Sequence, residues 1–232
     1  MPSDTRRRTQ SSHPVVPAHR HDFGLRLSFS SRSRLVEAAV DVIAESGVQR
    51  ATIPAICAEA GLGERTFEED FVDLTDCMLT VFDRLADVTL TRMRVALGGE
   101  ACWEDGVRSA LIALLELADD SPNLARFMLG APRIGDLPIL RRRECLQRHI
   151  AAALEERRPP LSDGSPSPAF GATAAIAATA AILHVRLAEQ PPQPLRELAP
   201  ALTAMIVLPY LGSEGARAQM ESDVISPEGS GS

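Results

Sequence analysis

The sequence predicts an all-α fold in which a small N-terminal three-helix unit is joined by one long helix to a larger helical body. Three observations lead there. Apolar residues recur at the helical period from Leu35 onward, and no run alternates at the strand period. Aromatics are only 4% of the 232 residues while hydrophobic residues reach 45%. The core must therefore be built from Ala, Leu, Val and Ile, and the first two are strong helix formers. Glycine and proline stand where the periods stop, at Gly47, Gly61, Gly98-Gly99 and the Gln-Pro-Pro-Gln-Pro run at 190–194.

Residues 1–30 are polar and aperiodic and read as a flexible arm. The first helix carries Leu35, Ala38, Ala39, Val42 and Ile43 on one face and ends at Gly47, as a C-cap glycine would end it. Thr52 caps the second helix, Pro54 is tolerated in its first turn, and Ile53, Ile56 and Cys57 form its inner face. Gly61 permits a tight turn with Leu62 as the apolar plug behind it. A third helix starts near Gly63. Phe67 and Phe71 are four residues apart and face inward, which turns Arg65, Thr66, Glu68 and Glu69 outward.

Asp73 or Thr75 starts a long helix with Met78, Val81, Phe82, Leu85, Val88 and Val95 as its stripe, up to Gly98-Gly99. Trp103, Val107, Leu111, Leu114, Leu115 and Ala118 mark the next. Ser121 reads as a helix cap, with Pro122 at the first helical position of a short helix ending near Gly130. Another helix spans about 136–157, with Leu140, Ile150 and Leu154 inside and Arg141, Arg142 and Arg143 as a solvated turn. Residues 158–168 are a loop, 169–188 an Ala-rich helix, and Pro194 to Tyr210 a last apolar helix. The organisation expected is an arm (1–30), a helix-turn-helix domain (31–90, the motif at about 52–71), a regulatory and dimerisation domain (91–212) and a disordered tail (213–232).

Charge is distributed unevenly. The net charge is −7, and all 24 basic residues are arginines. Residues 1–34 carry seven Arg and two acids, whereas 35–75 carry two Arg and nine acids. The positive charge therefore sits in the arm and not on the outer face of the third helix, and a general polyanion binder is excluded. Cys57, Cys77, Cys102 and Cys145 form no metal-type pair and read as small buried hydrophobes of a reducing compartment. The arginines of the N-terminus are not followed by an apolar segment of the signal-peptide kind. The run Ala172 to Val185 is short for a membrane span. His13, His19 and His21 lie in the arm without a carboxylate or cysteine cluster, so no metal is expected. No cofactor motif, phosphate loop or nucleophile motif supports an enzyme.

The segments "LVEAAVDVIAESG", "ATIPAICAEAGLGERTFEEDF" and "LAPALTAMIVLPYLG" together resemble the TetR family of transcriptional regulators. The first two are the family's diagnostic part. The third is similar to a helix that many actinobacterial members use for dimerisation. The resemblance implies a cytoplasmic homodimer that binds operator DNA, is released by a small-molecule effector, and represses transcription. It implies DNA contacts from Thr52, Gly63, Glu64, Arg65, Thr66, Glu68 and Glu69, while Arg32 and Arg34, the arm cations next to the first helix, are expected to supply further DNA contacts in place of lost ones. It also implies an effector cavity in the body, for which Trp103, Phe127, Met128, His149, Phe170 and His184 are candidates.

Ala174, Ala178 and Ala181 at close helical spacing, with Leu198, Leu202, Met205 and Ile206 as a second stripe, are the expected dimer interface. The long fourth helix is expected to carry the effector signal. Three positions depart from the family. Gly63 replaces the usual Ser or Thr cap of the reading helix, Glu68 replaces a Tyr that commonly touches phosphate, and Leu74 stands near a usual phosphate-binding Lys. Each departure removes backbone affinity. A protein of this fold that has lost specific DNA recognition and serves as an interaction or ligand-binding module is the alternative reading.

Overall fold

The computed structural model describes residues 30–130, 137–158, 169–189 and 193–221, and these are helices joined by short turns, with no strand among them. The arm, with its histidines, and the last residues of the tail lie outside the described residues, as does most of the 158–168 loop.

The head consists of α1 (Ser31–Ser46), α2 (Ile53–Ala60) and α3 (Glu64–Asp70), packed on the first half of α4 (Leu74–Gly99). Local chemistry sets the boundaries. Ser30 accepts from the Ser33 amide, Thr52 from the Ala55 amide and Asp73 from the Asp76 amide, each supplying a partner that a helix start lacks. Gly61 sits in the left-handed region (φ 63°, ψ 37°), where a side chain is disfavoured, and Leu62 N–H donates back to the Cys57 carbonyl. Phe67 and Phe71 are buried with ring centroids 5.3 Å apart. Each contributes roughly 1.5–3 kcal/mol by leaving water. They fix α3 against Leu35, Ile43, Ile56, Val81 and Phe82.

The body contains the rest of α4 with α5 (Trp103–Asp120), α6 (Pro122–Leu129), α7 (Leu137–Glu156), α8 (Ala169–Ala188) and α9 (Ala199–Glu221), the last preceded by a short 3-10 turn at Leu195–Leu198. Its core is aliphatic, centred on Met93, Leu97, Val107, Leu115, Leu154, Leu202 and Val207. A Cβ at Gly106 would come within 2.9 Å of the Leu97 carbonyl, so the glycine lets α5 lie close against α4. Val95, expected on the inner stripe of α4, is 72% exposed. Helix α6 belongs to both parts. Its Leu124 and Phe127 join the head core, with Phe127 edge-on to Phe82 at 6.1 Å, while its Ala125 joins the body core.

The C-terminal region differs from the sequence expectation. The last helix continues past Tyr210 to Glu221, bending at Gly212 (φ 67°), so 213–221 is not a disordered tail. Arg108 of α5 holds it by donating to the Gln219 side chain at 2.9 Å and to the Gln219 carbonyl. The 18-residue stretch Gly171–Ala188 of α8 is long and apolar enough to cross a membrane by length and composition, longer than the run read from sequence. Its buried Ala172, Ala175, Ile176, Leu183 and Leu187 are part of the body core.

Candidate functional site

The turn and α3 form a helix-turn-helix surface whose outer side chains are Glu64, Arg65, Glu68 and Glu69, all exposed, with Thr66 half-buried. Gly63 starts α3 without a side-chain cap, and Glu64 occupies the first turn, where the helix dipole favours a carboxylate. Arg65 is the only cation on α3. Its Nε lies 3.2 Å from Oε1 of Glu69 one turn on, with the two side chains 91% and 65% exposed. The outer face of α3 is thus acidic, and its one positive group is paired within its own helix.

Arg32 and Arg34, expected to reach for DNA, are engaged inside the head. The Arg32 guanidinium lies 4.0 Å from the Phe71 ring centre, donates to the Asp70 carbonyl and to Thr80 Oγ1 at 3.2 Å, and faces the Asp76 carboxylate at 4.0 Å. Arg34 Nη2 donates to the Ala60 carbonyl at 2.6 Å, filling an acceptor that the end of α2 leaves open. Arg34 thus ties α1 to the end of α2, and Arg32 ties it to the end of α3 and to α4. Thr52 likewise spends its hydroxyl as the cap of α2.

A second site lies in the body. A cavity of about 170 Å³, partly open to solvent, lies among α4 to α9 and is lined almost wholly by aliphatic side chains. Leu85, Val88, Thr89 and Met93 of α4 form one wall, and Leu124, Ala125, Met128 and Leu129 of α6 another. Its polar members are Thr89, Ser121, Arg143, Gln147 and Thr179, and Arg143 is the only charged residue among them. Thr89 and Thr179 donate to the carbonyls of Leu85 and Ala175 on their own helices. Arg143 Nε donates to the Met128 carbonyl at 2.7 Å, so it faces inward at the C-terminal end of α6. The expected solvated arginine turn is instead a stretch of α7 with divided roles: Arg142 pairs with Asp83, and Arg143 reaches the cavity.

Of the six residues proposed from sequence for this cavity, Met128 lines it. Trp103 is buried elsewhere: its Nε1 donates to the Leu154 carbonyl at 2.9 Å and its ring stacks edge-on against Tyr210 at 5.1 Å. Phe127 points to the head core. His149 is exposed beside Cys145 on α7, and His184 is half-buried on α8 away from the lining. The Phe170 side chain lies outside the described residues. The wall is aliphatic, and no aromatic or histidine in the sequence marks it.

The expected dimer residues divide in the same way. Ala174 and Ala181 are exposed and Ala178 half-buried, and with Ile182 and Val185 they leave an apolar outer face on α8. Leu202 and Ile206 turn into the body core and Ile206 reaches the cavity, whereas Leu198 and Met205 are partly covered and Leu208 is 47% exposed. The outer stripe of α9 therefore runs through Ala201, Met205 and Leu208. Among the described residues no three His, Cys, Asp or Glu side chains converge as a metal site would require.

No protein-family model and no curated protein matches the chain. Solved structures share its fold, among them the following three. FadR from Bacillus subtilis, solved in complex with stearoyl-CoA, superposes with a TM-score of 0.62 at 18% identity, covering 77% of this chain and 97% of that one. FadR of Bacillus halodurans, a fatty acid degradation regulator, gives 0.64 at 15% identity, covering 81% and 98%. A proposed transcriptional regulator of Pseudomonas aeruginosa PAO1 gives 0.54 at 15%, covering 85% and 98%.

Proposed function

We propose that the chain is a TetR-type transcriptional regulator: a homodimer that binds operator DNA through α2 and α3, releases it when an apolar effector enters the body cavity, and represses transcription when effector-free. The observation that carries this reading is that the helix-turn-helix and the cavity share two helices. Leu85 of α4 lies in the head core and also lines the cavity, and α6 turns Leu124 and Phe127 into the head while Ala125, Met128 and Leu129 face the cavity. Asn123 adds a direct tie, its Nδ2 donating to the Ala44 carbonyl at the end of α1, 2.9 Å away. An occupant that displaces either wall thus moves the head.

The lining favours an acyl chain as effector. It is aliphatic on every side, with one cation, Arg143, suited to an anionic head group. The Bacillus subtilis FadR structure holds stearoyl-CoA, which makes long-chain acyl thioesters and fatty acids the first compounds to try. Across a two-fold axis the outer apolar faces of α8 and α9 supply the dimer contact. The test is retention of genomic fragments by the purified full chain at moderate salt. The expected result is recovery of a small set of fragments with a palindromic element and their release by long-chain acyl-CoA. Recovery that is unselective, or unaffected by every acyl compound, refutes the ligand-responsive regulator.

The acidic reading face favours a second reading, in which the fold and dimer serve an interaction or ligand-binding module without specific DNA recognition. It predicts no fragment retained even at low salt.

A further inference from the structure

The outer face of α3 is an unpartnered helix face with an excess of negative charge. From Gly61 to Asp73 the chain carries five acids, Glu64, Glu68, Glu69, Asp70 and Asp73, against the single Arg65. Glu64, Glu68, Glu69 and Asp73 are exposed. Arg65 compensates Glu69 alone, and neither Glu64 nor Glu68 has an ion-pair partner among the described residues. Val72, in the turn that follows, is 93% exposed, so the acidic patch has an apolar edge. The chain before Ser30 has the complementary character. Residues 1–29 hold five arginines against two aspartates, and Leu27 and Phe29 follow Arg26. The two stretches meet at one place: Arg32 donates to the Asp70 carbonyl, which sets the start of α1 beside the end of α3. Arg26 stands four residues before Ser30, a reach of up to roughly 14 Å in extended chain. Helix α3 has seven residues and is only roughly 10 Å long.

We propose that the N-terminal arm docks on the outer face of α3 of its own chain and occludes it. The arm runs back along the helix from its C-terminal end: Phe29 covers Val72, Arg26 sits among Glu68, Glu69 and Asp73, and Arg20 reaches Glu64. The surface takes a cationic segment and repels a polyanion, so a basic peptide is its occupant. The arm is favoured over a foreign one because its tether supplies an effective concentration on the order of millimolar without any association step. Docking does not depend on DNA binding. Its consequence rests on the reading above: the docked arm covers Arg65 and Thr66, which operator DNA would have to meet, so the head has a self-occluded state. If the untethered arm bound with a dissociation constant of about 0.1 mM, an effective concentration of about 1 mM would leave roughly one head in ten open. Removing the arm would then tighten DNA binding by about tenfold.

The test exploits the absence of lysine from the chain. Arg26→Lys in the full chain keeps the charge and introduces one side-chain amine, which a carbodiimide joins to any carboxylate in direct contact. Peptide mass mapping then reads the partner, and an equal mixture of isotopically heavy and light chains separates links within a chain from links between copies. The expected result is linkage from position 26 to Glu68, Glu69 or Asp73 within one chain. The yield should fall several-fold at 1 M salt, where screening acts within about 3 Å. It should fall likewise when Glu64→Gln, Glu68→Gln and Glu69→Gln are combined, with circular dichroism establishing that this variant is folded. Links spread over acids of the body, or none on α3, overturn the docking, and so does a yield on Asp73 that neither salt nor the triple variant reduces. Heavy–light links on α3 assign the face to the arm of a second copy and overturn the intrachain form. Anisotropy with a selected DNA fragment then reads the consequence. Tighter binding after deletion of residues 1–29 supports occlusion, and equal or weaker binding overturns it. A chain that retains no DNA at all refutes the regulator reading, while the links still decide whether the arm docks.

Discussion

Replacing Glu69 with Gln tests whether the reading face is held back by its own charge. The Arg65–Glu69 pair is an exposed ion pair one turn apart, 3.2 Å at closest approach. Such pairs stabilise a helix by only about 0.3–0.5 kcal/mol. For a chain of this size that corresponds to a change in melting temperature on the order of 1–2 °C. The effect on DNA is expected to be far larger. On the proposed reading, the substitution removes one negative charge per copy from the face set against phosphate, and it frees the Arg65 guanidinium. Each additional phosphate that an arginine neutralises steepens the dependence of log affinity on log salt by about 0.9, or about 1.8 for a two-copy complex. If Arg65 instead reaches a guanine edge, each such pairing adds about 1–3 kcal/mol of base discrimination. The assay is fluorescence anisotropy with a selected fragment over a salt series, for wild type, Glu69→Gln, Arg65→Ala and the double variant. Tighter binding in Glu69→Gln that vanishes in the double variant is the expected pattern. Unchanged affinity and unchanged slope in all three variants would refute the reasoning, because Arg65 then touches neither phosphate nor base.

Arg32→Ala should lower head stability by about 1–3 kcal/mol, through loss of the stacking on Phe71 and of bonds to Asp70 and Thr80; thermal melting should reveal this, with the salt slope for DNA unchanged in the folded fraction. Val185→Glu, on the exposed face of α8, should convert a dimer to a monomer in sedimentation at micromolar concentration, and a monomeric wild type would exclude the assigned face. Asn123→Ala should lose about 1 kcal/mol with its bond to the Ala44 carbonyl and reduce the factor by which an acyl ligand weakens DNA binding, read by titrating DNA with and without ligand. Burial pushes the Cys77 thiol from its ordinary 9.0 up to about 12, and burial together with the bond to Glu155 raises the Tyr210 phenol. Both hold their protons more tightly when folded, so the urea midpoint should be steady below about pH 9 and fall as pH rises beyond it, with a smaller fall in Cys77→Ala.

Helix positions are legible in the sequence because the signals that set them are local. Gly47, Thr52, Gly61 and Asp73 each act on amides or carbonyls within a few residues, and the Phe67–Phe71 spacing fixes which side of α3 faces inward. The functional assignments depend on distant partners that local reading does not contain. Arg32 and Arg34 look free in sequence, yet their acceptors are 38 and 26 residues away. Ser121 satisfies the pattern of a helix cap yet makes no capping bond. The three consecutive arginines read as one solvated group, but successive residues on a helix point about 100° apart, so Arg143 reaches the cavity while Arg142 meets Asp83. Trp103 and Phe127 are attractive as pocket residues because they are large and apolar, and for that reason the two cores use them.

The proposed coupling between cavity and head rests on packing rather than on the length of α4 alone. The head core is not closed by α1 to α4: Leu124 and Phe127 of α6 fill it. Packed interiors do not absorb displacement locally, because their side chains already interdigitate at near-crystalline density. If an occupant presses on Ala125 or Met128, α6 either takes Phe127 with it and disturbs Phe82, or carries the head as a unit through the Asn123 tie to α1. In a two-fold dimer either motion changes the spacing of the two reading helices, and a fixed operator penalises that change. Such coupling is reciprocal: operator DNA must weaken ligand binding by the factor by which ligand weakens DNA binding. A head built on its own closed core, joined only by α4, could swing without that penalty reaching the cavity. On the proposed reading, the shared α6 is what would make the two sites thermodynamically one system.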